Sequence, residues 1–481
     1  AITACNASFA QVGVTATSSG AEVIVTAATA GTSGNSISLN SSLSGFSWHG
    51  STLAGGGGSG PCSGPTVKWA YDVSTDGGGL MGSPILSWDG TQVAFIENGS
   101  DGHAWLHLLA WKSQDNAAAG LNANPAPPMT VTTDGATYRS CARAVAGGGG
   151  SCLLSLPLGA STDTQSPPFY DFLHDALYVG DDAGTLWRFT GIWYGNPAKD
   201  STPAWVSGVS TASTALTGPL PDYVTGAGNR VIVADASGVV HSVTSAGVAS
   251  APGLTLTATV TDPPIEDAVT GMMYFFSGGS GSPWTVTQAP LASLVNASAS
   301  VVSGNTGSQF HMGFFDHAYW TSPSTGHLYV CGSDTSGYPA LYRIGFTGAV
   351  MNGTTSDGPL ELATAAGECS PLQEFYNPNQ DIDWLFAGIP SNCSLGGDAG
   401  GCIDSFRIGT GAGAGAFPAG ADATGAEAGG TSGIIVDGIS GVPQASSVYF
   451  TTLGAPGGGC SNAPTGDTST CLVKRTQNGL Q

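Results

Sequence analysis

"ALYVGDDAGTLWRF" spans Ala176 to Phe189, and its reading decides the fold. Leu177, Tyr178 and Val179 form an apolar run, Asp-Asp-Ala-Gly supplies turn residues, and Thr185 to Phe189 alternate in polarity beyond them. That is the pattern of two antiparallel strands around a tight turn. One hairpin proves little, but looser copies recur along the chain, and self-similarity at a fixed period marks repeat architectures. Second strands of the same kind are "QVAFIEN", "RVIVADA", "MMYFFSG", "HLYVCGS", "DWLFAGI" and "SVYFTTL". Each follows a short opening strand, in "SPILSWD", "SPPFYD", "GPLPDYV", "DPPIEDAV", "HMGFFDHAY", "SPLQEFY" and "SGIIVDG", and each precedes a third, such as "HAWLHLLAW", "GVVHSVT" or "PALYRIG".

After a longer first interval the units recur at about 45 to 60 residues, the range of propeller blades. The expected fold is therefore all-β: a seven-bladed β-propeller over residues 66–481, a small β-rich module at 1–53, and a Gly-rich linker at 54–65. Segments such as "TPAWVSGV" and "GLTLTATV" are expected to supply fourth, outer strands. The last unit lacks an obvious fourth strand, so the strand at 66–74 is expected to complete that blade and close the ring, removing an unpaired edge. In the first module, "VGVTATSSGAEVIVTAATA" reads as a hairpin about Ser-Ser-Gly, with a further strand after it.

"LYVGDDAGTLWRF" resembles the blade repeat of quinoprotein-type propellers, and "SPILSWDGTQVAF" resembles that of TolB-type propellers. "GTSGNSISL" with "GFSWHGSTLAGG" is similar to a small β-rich segment of phage tail-sheath proteins and secreted bacterial surface proteins. The resemblance implies a fold rather than an activity. The adjacent Cys-Cys pair of many quinoprotein dehydrogenases is absent, and seven blades are one short of their usual eight, so no quinone or other cofactor is expected.

Ten cysteines with no C-x-x-C pair argue for disulfides rather than zinc or thioredoxin-like chemistry. Sequential pairing gives Cys5 with Cys62, Cys141 with Cys152, Cys331 with Cys369, Cys393 with Cys402, and Cys460 with Cys471. Such bonds belong to oxidising compartments. Charged residues make up only 9% of the chain and its net charge is -22, which opposes binding to phosphate backbones and anionic lipid. With no membrane-spanning run and no signal peptide, the chain is expected to be a mature extracellular or cell-surface protein that binds no nucleic acid. The N-x-[ST] sites at Asn6, Asn40, Asn98, Asn296, Asn352 and Asn392 are open to glycosylation or arise by chance in so Asn- and Ser-rich a chain.

No H-E-x-x-H, G-x-S-x-G or Walker loop is present, and the eight histidines are scattered. One constellation stands out. Three residues on from the Pro, Gly or Ile that opens each first strand lie Asp171, Asp222, Asp267, Asp316, Glu374 and Asp437, with Ser87 as the exception. A first strand lines the central channel, so these carboxylates form either an acidic ring able to hold a cation or a set of acceptors that lock turns and blade packing. The packing reading is preferred and no metal is expected, because six unneutralised carboxylates facing one another would be costly. Trp88, Trp105, Trp187, Trp284, Trp320 and Trp384 are expected in the core between blades, and Trp193 and Tyr194 on an exposed contact surface.

Two classes of function are compatible with this pattern. The first is a non-catalytic secreted structural or adhesive protein that assembles with copies of itself into a filament, coat or matrix, its N-terminal module docking on a neighbouring propeller. Only four lysines in 481 residues guard its strand edges. The alternative is a secreted propeller enzyme or lectin acting on polysaccharide, with glycans as partners and two ring carboxylates as acid and base.

Overall fold

The computed structural model describes residues 14–19, 22–27, 66–71 and 73, and the span 79–476 apart from 100–101, 112–129, 146–149, 160–162, 223–229, 251–252, 280–281, 296, 303–308, 395–399, 411–412, 439–446 and 455–469. Two compact units divide the chain at Thr66 and Val67. In the first, Val14–Ser19 and Glu22–Ala27 pair antiparallel, as the sequence pattern predicts. The expected further strand and the Gly-rich linker lie outside the described residues.

The second unit is a seven-bladed β-propeller built from seven small sheets. Its first strands, which line the channel, are Gly79–Leu86, Phe169–Asp171, Leu220–Asp222, Ile265–Asp267, Phe314–Phe315, Gln373–Asn377 and Ile435–Asp437, taken as blades 1 to 7. Second strands follow at Gln92–Asn98, Ala176–Gly180, Arg230–Ala234, Met272–Gly279, His327–Ser333, Ile382–Ile389 and Ser447–Thr451. Thr66–Tyr71 lies at the outer edge of blade 7, beside Leu472–Thr476, so the first strand of this unit joins the sheet made by the last three.

The second strands are continuous apolar runs because each sheet is covered on both faces. In blade 2, Leu177 and Val179 pack with Leu106 and Leu108 of blade 1, while Ala176 and Tyr178 point the other way and pack with Val231 and Val233 of blade 3. The same alternation continues around the ring, so a buried cluster lies between every pair of adjacent blades. Turn chemistry repeats as well. Asp181 Oδ1 accepts from the amides of Ala183 (3.0 Å) and Thr185 (2.8 Å), and Asp235 and Asp334 cap the equivalent hairpins in the same way. The Asp181 carboxylate also accepts from Trp187 Nε1 at 2.7 Å, tying the turn to a core side chain.

The outer strands differ from expectation. Blade 2 ends in the short pieces Ala198–Lys199 and Val209–Ser210, and blade 3 in Ala249–Ser250. Most of "TPAWVSGV" is a turn that buries Trp205, because Pro203 offers no amide to a ladder and Gly208 turns the chain at φ +74, and only its last residue, Val209, enters an outer strand. "GLTLTATV" contributes only isolated bridges at Thr255 and Val260. A helix at Gly135–Val145, not foreseen from the sequence, follows Asp134, whose Oδ2 accepts from Thr137 N at 2.7 Å. Arg139 on that helix reaches Gln92 of blade 1 (2.9 Å) and the Ile192 carbonyl of blade 2 (2.7 Å), which fastens the helix across both blades.

Cys141–Cys152, Cys331–Cys369 and Cys393–Cys402 are bonded, and Cys471 is also in a disulfide. Cys5, Cys62 and Cys460 lie outside the described residues. Among the described residues no helix is long and apolar enough to cross a membrane.

The seam between blades 7 and 1 leaves no room at Gly433. A Cβ added there would sit 1.7 Å from Ser83 Oγ and 2.7 Å from its Cβ. Gly433→Ala is expected to destabilise the propeller by about 1–3 kcal/mol in chemical denaturation, with Ser83→Gly restoring most of the loss in the double variant. Absence of rescue would show that the close approach is not the cause.

Candidate functional site

The two mouths of the channel differ in chemistry. At one, the chain leaves each first strand and turns into the second. Asp171 Oδ1 accepts from the amides of Leu173 (2.9 Å) and His174 (3.0 Å), and its Oδ2 lies 2.8 Å from His174 Nδ1. Asp267 Oδ1 accepts from Val269 and Thr270 in the same way, while its Oδ2 accepts from the Thr270 hydroxyl and from Tyr319 OH of blade 5 at 2.7 Å. Asp316 caps the short helix His317–Thr321 and accepts from His327 N. Asp222 pairs with Arg230 Nε at 2.8 Å, and Asp437 ends its strand opposite Ser447.

Glu374 is not the equivalent position. The first strand of blade 6 is longer, and Asn377 stands at its end, accepting from Asn379 N at 2.9 Å. Counting from Pro371 misses by three residues because the chain pairs further before it turns. Glu374 instead neighbours Asp383, and burial, then the Asp383 carboxylate and a hydrogen bond with it, hold its pKa well above the ordinary range. Asp383 is raised to about 6, chiefly by burial, and its Oδ2 accepts from His317 N of blade 5 at 2.7 Å. The ring positions are thus engaged in turns and blade contacts, and among the described residues no three His, Cys, Asp or Glu side chains are grouped to hold a metal ion.

At the opposite mouth, where the chain enters the first strands, a cavity of about 440 Å³ opens between blades. Within it His311 Nδ1 lies 2.9 Å from Asp262 Oδ2, and its Nε2 lies 3.6 Å from Glu368 Oε2. The carboxylates are positioned by backbone: Met312 N donates to Asp262 at 2.6 Å and Gln309 N to Glu368 at 3.0 Å. Glu368 adjoins Cys369, which the disulfide to Cys331 anchors. Burial alone would lower the His311 pKa, but the charge and hydrogen bond of Asp262, with those of Glu368, raise it to about 10. A lone histidine in "HMGFFD" carries no sequence signal of this kind, because its partners lie 49 and 57 residues away.

A further constellation is internal. Ser155 Oγ, His107 and Glu97 form a hydrogen-bonded chain of 2.9 and 2.8 Å, the order of a nucleophile, base and acid. All three are buried inside blade 1, so the chain cross-links its strands and meets no substrate. His107 lies in the strand Ala104–Ala110 and His103 just before it.

Aromatic placement partly reverses expectation. Trp187, Trp284 and Trp384 are buried, and so is Trp193, whereas Trp88 is 69% exposed and Trp320 is 40% exposed. Tyr194 is exposed as expected. Trp88 sits in the first turn of blade 1 after Ser87, a position on the face rather than between sheets.

Comparison with known proteins assigns no function to the chain. No family model matches the chain, and no curated protein matches it. Among solved structures, the chain is similar to the Raptor protein of Chaetomium thermophilum, with 11% identity and a TM-score of 0.43, over 86% of this chain and 29% of that one. It is also similar to a chain of a mitotic checkpoint complex, with 9% identity and a TM-score of 0.38, over 68% of this chain and 75% of that one. The chain thus spans under a third of the length of the Raptor protein.

Two outcomes test the geometry. Asp267→Ala is expected to cost about 1–3 kcal/mol in denaturant unfolding, since it removes the acceptor of the Val269 and Thr270 amides and of the buried Tyr319 OH, and Asp267→Asn less, because an amide oxygen still caps the turn. For His311, the folded pKa is raised, so the stabilisation is complete below the ordinary histidine range and lost as pH rises through the folded value. The melting-temperature gap between wild type and His311→Gln should be a few degrees at about pH 6 and close by about pH 10 to 11. A gap that stays constant would assign the effect to packing.

Proposed function

We propose that the protein is a non-catalytic extracellular structural or adhesive protein that associates with copies of itself. The observation that carries this reading is the turn face of the propeller. There the residues just after the first strands present apolar side chains to solvent in several blades: Trp88, Phe172, Leu173, Val269 and Trp320, with Val269 85% exposed. Tyr194 joins them, because third strands emerge on the same side and its amide is held by Asp175. Exposed apolar side chains gathered on one face mark interaction surfaces. The acidic side chains beneath them are tied into turns, so they are poorly placed for acid–base chemistry on a bound substrate.

The disulfides support an extracellular setting. The N-terminal hairpin, rich in β-branched residues, is a second element suited to pairing with a neighbouring copy. Glycan binding is the second reading, favoured by the exposed rings of Trp88, Tyr194 and Trp320. Sugar rings lie on such aromatic faces, and a neutral polysaccharide is not repelled by a net charge of -22.

Sedimentation velocity over a wide concentration range tests the first reading. The full chain is expected to associate, and the variant Trp88→Ser, Leu173→Ser, Val269→Ser to shift at least tenfold in the concentration required, about 1.4 kcal/mol or more. A full chain that stays monomeric throughout, yet is retained on an insoluble neutral polysaccharide and released by Trp88→Ser with Trp320→Ser, would replace self-association with glycan binding.

A further inference from the structure

The cavity at the entry mouth continues inward. The channel below it is a second cavity of about 350 Å³, walled by first strands of all seven blades, and Ser83, Asp262, Pro371 and Gly433 line both. Its wall is apolar, built from prolines and from side chains such as Ile85, Phe169, Met312 and Phe314. Two acidic stations interrupt this surface. At the rim, two carboxylates, Asp262 and Glu368, face a single imidazolium, leaving an excess of one negative charge. In the throat stands Glu266, half-buried on the first strand of blade 4. No lysine or arginine lines either cavity among the described residues.

Glu266 is the informative group. Burial, then the Asp222 carboxylate, raise its pKa to about 7, against the opposing pull of Arg230, with Asp267 adding to the rise. A carboxylate held in an apolar throat gains from any cation that reaches it. An anion is excluded by the same charges, and a neutral ligand leaves both stations unneutralised. A hard metal ion requires several oxygens converging on one point, and these stations are separate.

We infer that the channel takes a linear aliphatic diamine or polyamine, one ammonium at the Asp262–Glu368 rim, another at Glu266, and the methylene chain along the apolar wall between them. Cationic heads joined by apolar spacers match acidic stations joined by an apolar tube, as the amphipathic stems of long basic side chains do elsewhere. The inference is independent of the turn face, which lies at the other end of the channel.

Isothermal titration of the full chain with cadaverine, spermidine and n-pentylamine tests it. The two polyvalent amines are expected to bind one-to-one. n-Pentylamine, which fills one station, should bind at least about tenfold more weakly. Glu266→Gln and Glu368→Gln are each expected to weaken cadaverine by about tenfold and to bring it close to n-pentylamine. Cadaverine binding near neutral pH should also release protons, read as a dependence of the heat on the buffer's ionisation enthalpy, and Glu266→Gln should remove that release. Both substitutions are isosteric, and thermal shift of the wild type by cadaverine supplies a readout that needs neither variant. Three results would overturn the inference: no saturable binding of either polyvalent amine, equal affinity for cadaverine and n-pentylamine, or unchanged binding in both variants, which would assign it to the acidic exterior.

Discussion

Every sheet in this propeller is buried on both faces, and the rest of the structure depends on that constraint. A four- or five-stranded sheet cannot bury two apolar faces by itself, so each blade takes its cover from both neighbours. The alternation of side chains along a strand then sends Leu177 and Val179 to one interface and Tyr178 to the next. A linear array would leave two apolar faces exposed at its ends. Closure removes both, and the Tyr449, Leu472, Val93 and Phe95 cluster between the last blade and the first is its core. Fully burying side chains of this size contributes about 1.5–3 kcal/mol each, so the seam repays the ordering of a long chain.

Closure also governs where polar groups go. Inner strands converge on the axis, and their backbone must turn within a few residues of one another. Carboxylates at those turns satisfy amides that the ladders leave over, which is why Asp171, Asp267 and Asp316 each accept from two backbone N–H groups. Carboxylates link blades as well, Asp267 through Tyr319 and Asp383, on the second strand of blade 6, through His317. Acid at the channel therefore has two origins. At the turn face it is a structural acceptor. In the throat and at the entry rim, Glu266 and Glu368 cap no turn of this kind, and there the charge is available to a ligand.

With only 11 basic residues, most described cations are already occupied. Arg139 bridges two blades, Arg343 pairs with Asp357, and Lys474 lies buried against Trp111 and Tyr449. The exterior is left acidic and sparsely guarded. Negative charge opposes the close approach of like-charged surfaces, while exposed apolar turns are the parts of the surface where that repulsion is weakest.

The number of blades, their strand order and the closing strand at the start of the propeller were legible in the sequence. A repeated strand pattern is local, and an unpaired strand at each end of a ring must find the other. Cys141–Cys152, Cys331–Cys369 and Cys393–Cys402 were legible as pairs of successive cysteines. The tertiary structure alone decided the rest. The register of blade 6, which puts Asn377 rather than Glu374 at the turn, depends on how far two strands pair before separating. Whether a tryptophan is core or surface depends on which turn carries it, so Trp193 is buried while Trp88 is exposed. His311, Asp262 and Glu368 meet only because entry segments from three blades converge on one mouth. Periodicity reports what each blade does for itself, whereas a site on the axis is made by residues that are distant in sequence and are brought together only when the ring closes.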